Sequence, residues 1–178
     1  EASMKYFMIG SLSAALMLFG ISFIYGATGT TSIPGVAANI DILLGSPMGL
    51  LSVVLMIAGL GFKIALVPFH MWAPDTYQGS PSVVSSLLAA GSKKMGFVAA
   101  FKVFMIALIA LQAEWTTAFA VLAVITMTLG NVVALSQTSV KRMLAYSSVA
   151  QAGYITMAFV VMSKTALAGA ILYALSHG

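Results

Sequence analysis

The sequence predicts an all-α fold, a polytopic bundle of transmembrane helices, here read as one domain over 1–178. Three observations carry that reading. Of 178 residues, 61% are hydrophobic and only 7% charged, with a mean hydropathy of +1.05. Soluble domains hold about 25% charged residues, so lipid must solvate much of this surface. Apolar runs of roughly twenty residues recur, each long enough to cross about 30 Å of hydrocarbon. One of these runs carries a lysine and then breaks at closely spaced prolines, "GFKIALVPFHMWAPDTYQGSP".

The first span is expected over 5–26, with a single charge at its start. A polar loop containing Gly, Thr and Asp41 follows over 27–46. The second span runs over 47–67 and ends where Pro68 removes a backbone donor and disfavours helix at Val67. Residues 68–80 are too short and too interrupted, with Pro74 breaking the pattern again, to cross alone. They read as a broken continuation of the second span, ending in a re-entrant turn. Ser80-Pro81 fits a helix start with serine as N-cap and proline at the first position. A third span then covers 82–111. "QAEW" links it to a fourth over 115–136, and "SQTSVKR" leads to a fifth over 143–162. A sixth begins at Lys164 and is truncated at 178. The opening glutamate and the apolar, uncapped end predict an internal stretch of a longer membrane protein.

Charge narrows the class. The net charge of +4 comes from eight cations and four acids, too few and too scattered for a nucleic-acid surface. The absence of cysteine excludes disulfides and thiolate metal sites. No phosphate-binding loop, dinucleotide fingerprint or iron–sulfur motif is present, and two histidines 107 residues apart do not suggest a haem pair. Five crossings place Lys5, Lys141 and Arg142 on one side and Lys164 on the other. The more basic side is expected to face the cytoplasm.

Chemistry is expected where charge lies at membrane depth. Lys63 ends the otherwise uncharged stretch that begins at Pro47. A lysine at a helix centre costs about 2.5–3.5 kcal/mol on insertion scales and defaults to function. An ammonium stripped of water releases its proton more readily, and an approaching carboxylate restores its grip. The structural alternative for Lys63 is a side chain that snorkels to the interface. Lys93 follows the small, weakly polar "PSVVSSLLAAGS" and is balanced between the same two readings. Lys94 lies about 100° and Lys102 about 180° round the helix from Lys93, and both read as snorkelling residues. His70 sits in the break, where non-helical backbone survives only against protein or a water-filled cavity. It is a proton-relay candidate, or a hydrogen-bonded structural residue. Asp75 either caps the turn or pairs a lysine. Trp72 reads as a packing aromatic, and Gln137, Lys141 and Arg142 as a loop with topology-setting charges. His177 is not interpretable on spacing alone.

The stretch "GLGFKIALVPFHMWAPDTYQGSPSVVSSLLAAGSKKMGF" resembles the core of the antiporter-like proton-pumping subunits of respiratory complex I, shared with Mrp-type cation/proton antiporters. "PDTYQGSP" followed by "VSSLLAAGSKK" is most similar to the N-type subunit, and "NVVALSQTSVKRMLAYSSVAQAGY" extends the likeness over nearly the whole chain. The resemblance implies an antiporter-like inverted-repeat fold with a broken helix, of which this chain spans helix six to part of helix eleven. It implies that Lys63 is the lysine of the broken seventh helix and Lys93 the connecting lysine of the eighth. Lys5 corresponds to a lysine of the sixth helix, and His70 to the histidine of the break. The fifth-helix glutamate and twelfth-helix lysine of such subunits have no counterpart in 1–178.

The implied function is a non-redox, proton-translocating subunit of a complex I-type NADH (or similar donor):quinone oxidoreductase. No cofactor is expected in this chain, while the NADH-type donor, FMN, iron–sulfur clusters and quinone belong to partner subunits. The expected partners are other membrane-arm subunits, the lipid bilayer and protons, without nucleic acid. The expected location is an energy-transducing membrane, the cell inner or plasma membrane. The alternatives are a Mrp-type sodium/proton antiporter subunit and a structural spacer of a membrane arm.

Overall fold

The computed structural model describes residues 1–177. Every regular element among them is helical. Four α-helices are long and apolar enough to cross a membrane: α1 (Ala2–Thr28), α3 (Pro47–Ile64), α7 (Gln112–Leu135, prolonged by a 3₁₀ turn from Ile109) and α8 (Val140–Val161). Between them lie the short α2 (Ile33–Asn39), α4 (Trp72–Gly79), α5 (Ser82–Leu87) and α6 (Lys93–Lys102). The closing α9 is Lys164–Ser176.

Helix α3 is the central post. It packs along α1 on one side and meets α6 and α7 on others, and 61% of its apolar window is buried against 17% of that of α1. Ser46 starts it, its hydroxyl accepting the Gly49 N–H at 3.0 Å, with Pro47 opening the first turn. Helices α7 and α8 pack along one another because Gly130 has no side chain. A Cβ there would stand 2.6 Å from the Ala150 nitrogen. Helix α4 wedges between α1 and α8. One core joins Phe97, Phe104, Trp115, Phe119 and Phe159; Phe119 and Phe159 stack at 4.5 Å. A second gathers Phe62, Trp72, Tyr77, Ala145 and Val149 around the break. The outward faces of α1, α7 and α9 keep large apolar side chains exposed, including Phe7, Leu18, Val124 and Leu172.

Several details depart from the sequence pattern. Residues 27–46 are not simply a loop. They fold into α2, with Pro34 in its first turn, and a 3₁₀ turn from Ile40 to Leu43. The break starts at Ala65, three residues before Pro68, where the backbone turns left-handed (φ 59°). Pro74 does not interrupt α4; it sits in the first helical turn, where a missing N–H costs nothing. Pro81 precedes α5 rather than opening it, and the Ser80 hydroxyl pairs with that of Ser85 at 2.8 Å. The stretch 82–111 contains two π-helical turns, Leu88–Ser92 and Val103–Ala107, which bracket α6. "QAEW" is itself helical and begins α7.

Residues 65–67 of the break are buried, so their freed backbone groups need partners. Leu66 N–H donates to Gly61 O at 2.9 Å. Val67 N–H donates to the hydroxyl of the fully buried Thr126 on α7 at 3.0 Å. The Trp72 indole N–H donates to Phe62 O at 2.8 Å. Losing one such partner leaves a buried group unpaired, at a cost of about 1–3 kcal/mol. Thr126→Val should therefore lower the unfolding midpoint measured in detergent, whereas Thr126→Ser, which keeps the hydroxyl, should stay close to the parent protein.

Candidate functional site

Lys93 begins α6 directly after a π-helical turn, a distortion frequent at functional sites. Its side chain is the one buried charge among the described residues, only 5% exposed. The ammonium donates to the Ser148 carbonyl at 2.6 Å and to the Ser148 hydroxyl at 2.8 Å, both on α8. These two neutral oxygens solvate the amine without balancing its charge. Because residues 93–102 are regular α-helix, Lys94 turns away and is half-buried, and Lys102 faces outward and is exposed.

Lys63 lies in the last turn of α3 and is half-buried. The residues after it, Ile64 to Val67, are all buried, so the chain does not run out to the surface there. Its stem crosses α6 at Gly96: a Cβ on Gly96 would stand 2.9 Å from Lys63 Cγ. Gly96 is one helical turn beyond Lys93, about 4.5 Å along the axis, so α6 carries both lysines past one segment. Lys63 also lines a groove of about 640 Å³ between α1, α3 and α6, among Tyr6, Gly10, Ser13, Gly59 and Met95. Among the described residues no carboxylate lies within ion-pair distance of it.

His70 is half-buried in the turn before α4. Its Nδ1 is buried without a protein hydrogen-bond partner, its ring lies 6.3 Å from that of Tyr146, and it stands within electrostatic range of Lys93. Thr76 Oγ1 and Tyr77 Oη on α4 are likewise buried and unpartnered. At the other end of the chain, His177 caps α9 within electrostatic range of Lys93 and Lys94.

Lys5 is placed differently. It sits near the start of α1 with its ammonium 2.6 Å from Asp75 Oδ2 and 3.1 Å from Glu1 Oε1. Arg142 Nη1 donates to the other Asp75 oxygen at 2.6 Å and to Gln78 Oε1 at 3.1 Å. Lys141 donates to Ser80 O at 3.2 Å. Thus Lys5, Lys141 and Arg142 gather at one end of the bundle around α4, and Asp75 pairs two cations. Sequence reasoning passed over Ser148, Gly96, Thr126 and Arg142 as partners. A small hydroxyl or glycine in an apolar helix is too common a signal to single out Ser148, Gly96 or Thr126. Arg142 read as a loop charge because its partner Asp75 lies 67 residues away.

Over residues 1–178 the sequence matches the family model "NADH:quinone oxidoreductase/Mrp antiporter, TM". The chain belongs to this family. It is 73% identical over 177 residues to the F(420)H(2) dehydrogenase subunit N of Methanosarcina mazei, covering 99% of this chain and 36% of that protein. Among solved structures it superposes on a chain of respiratory complex I from Thermus thermophilus with bound aureothin. The TM-score there is 0.78 and the identity 38%, over 99% of this chain and 38% of that one. A chain of the Mrp complex from Dietzia sp. gives a TM-score of 0.88 at 25% identity, over 99% and 32%. The chain therefore spans about a third of the length of these relatives.

The Lys63–Gly96 crossing makes a steric prediction. Gly96→Val should force α3 from α6, at about 1–3 kcal/mol for an overpacked contact, and lower the unfolding midpoint in detergent. Gly26→Ala, where a Cβ meets nothing within 4 Å, should not.

Proposed function

We propose that this chain is the proton-conducting part of a non-redox membrane subunit in a complex I-type dehydrogenase, with Lys93 at its centre. The observation that carries the proposal is a buried ammonium held only by the neutral oxygens of Ser148. Such a group releases and regains a proton as a neighbouring charge recedes or approaches. Lys63, on the far side of Gly96, is the donor that loads it. A carboxylate from outside this stretch, reaching into the groove beside Lys63, would set how firmly Lys63 holds its proton. His70 and Tyr77 offer unpartnered polar atoms where water can bridge a transfer. His177 is the next acceptor along α9. Lys5 contributes to the same network through its ion pair at the end of the bundle.

The relatives support this reading by name, as subunits N of dehydrogenases acting on F(420)H(2) or paired with a quinone. Donor oxidation, the flavin, the iron–sulfur clusters and quinone reduction then belong to partner subunits. This chain supplies no thiolate for a cluster. Its neighbours would be other membrane-arm subunits in an energy-transducing inner or plasma membrane. The likeness to the Mrp complex favours a second reading, a sodium/proton antiporter subunit. The 73% identity to a dehydrogenase subunit ranks it second.

The experiment is proton translocation by the full-length subunit in its assembled complex, reconstituted in vesicles. Lys93→Ala and Lys63→Ala should each cut proton uptake about a hundredfold, the scale of losing a proton-transfer group. Lys102→Ala and Lys164→Ala should leave it intact. Equal rates in all four variants would overturn the reading. Donor-driven uptake that needs no sodium separates it from the antiporter alternative.

A further inference from the structure

The charges at the end of the bundle have a geometry that a simple topology signal does not require. We propose that Asp75 is a positioning residue: with Lys5 and Arg142 it latches the broken-helix segment α4 to α1 and α8, and so keeps Lys93 on its Ser148 acceptor. The inference rests on the proton-transfer reading above.

Helix α4 has eight residues, too few to hold a helix by its own backbone bonds. Its start is tied to α3 by the Trp72 indole on the Phe62 carbonyl. From its first turn onward, at Asp75, Gln78 and Ser80, it is tied to α1 and α8 by polar side chains. The two oxygens of Asp75 are shared out, Oδ2 to Lys5 of α1 and Oδ1 to Arg142 of α8, each at 2.6 Å. Arg142 also grips Gln78, and Lys141 grips the Ser80 carbonyl. One carboxylate therefore fixes α4 to two helices that are far apart in sequence.

The consequence runs along α8. Arg142 and Ser148 are six residues apart on it, about 9 Å along the axis, so the helix that takes the latch also supplies both acceptors of Lys93. Tyr77 of α4 packs with Ala145 and Val149 of α8, on either side of Ser148. Releasing Asp75 lets α4 and α8 part at this seam. Exposed ion pairs add little to overall stability, so what the latch supplies is alignment. A groove of about 860 Å³, lined by Tyr6, Asp75, Thr76, Val84, Leu88 and Arg142, lies against the latch. Thr76 borders this groove yet is only 8% exposed, with its hydroxyl buried; parting the seam uncovers it.

The test uses the assembled complex in membranes, with the full-length subunit. This stretch contains no cysteine, so Thr76→Cys gives a single reporter within it for a membrane-impermeant maleimide. On that background Asp75→Asn should raise labelling at least tenfold. In reconstituted vesicles it should lower protons moved per donor oxidised severalfold, while donor oxidation and subunit content persist. Arg142→Gln should do the same, and the double variant should be no worse than either single one, as expected of groups acting as a unit. If Asp75→Asn fails to assemble, Asp75→Glu, which keeps the charge on a longer arm, should still give intermediate labelling.

Labelling that stays at the parental level in Asp75→Asn, Arg142→Gln and Asp75→Glu overturns the latch. Labelling that rises while protons per donor stay at the parental ratio overturns the positioning role and leaves a structural clamp. A Lys93→Ala control that still pumps defeats the proton-transfer reading instead, and with it the positioning role. The labelling arm then still decides whether the latch exists.

Discussion

Hydrocarbon offers no hydrogen bonds, and that single constraint shapes the molecule around residues 65–71. A helix that stops inside a bilayer exposes carbonyls and amides, each costing several kcal/mol if left bare. The chain stops α3 at Ala65 and still meets that demand, with Thr126 reaching from α7 to Val67 and Trp72 folding back onto Phe62. The same solution recurs at the end of the third expected span. There Trp115 donates to the Leu108 carbonyl at 2.9 Å, beside a π-helical turn. Because the break is satisfied by side chains from its neighbours, its position is fixed relative to them. His70, Tyr77 and Asp75 are therefore held at defined places against α8 and α1.

The cations sort by what surrounds them. At the end of the bundle Lys5 and Arg142 find a carboxylate, and their charge is balanced. Lys102 faces outward. Lys93 has neither a carboxylate nor solvent, only the oxygens of one serine. Lys63, its stem pressed against Gly96, is intermediate between these extremes. A buried charge with only neutral partners is poor material for stability, because such burial seldom recovers its desolvation cost. It is good material for proton transfer, because small movements of charge nearby change which protonation state is preferred.

The class of fold was legible because composition and run length depend only on the solvent that each residue needs. Lys63 and Lys93 stood out for the same reason, as charges in apolar runs. For Asp75, pairing with a lysine was one of two open readings, and the structure bears it out with Lys5, but which cations it would meet was not legible. Its partners Lys5 and Arg142 lie 70 and 67 residues away, and no local pattern links them. The π-helical turns at the two ends of α6 were hidden as well, since nothing in "LAAGS" or "VFMIA" distinguishes a π turn from an ordinary helical one. The start of the break was misjudged by three residues. Proline gave the strongest local signal, yet tertiary bonds to Thr126 and Trp72 let the chain turn earlier, at an alanine.

The central claim is that Lys93 changes protonation while buried, and its own amine nitrogen reports that most directly. With ¹⁵N-labelled lysine in the assembled, membrane-embedded complex, and the signal assigned by its loss in Lys93→Arg, solid-state NMR separates a charged from a neutral amine. The account predicts two Lys93 signals whose ratio changes when donor and quinone are supplied. A single ammonium signal, unmoved between rest and turnover, would contradict it.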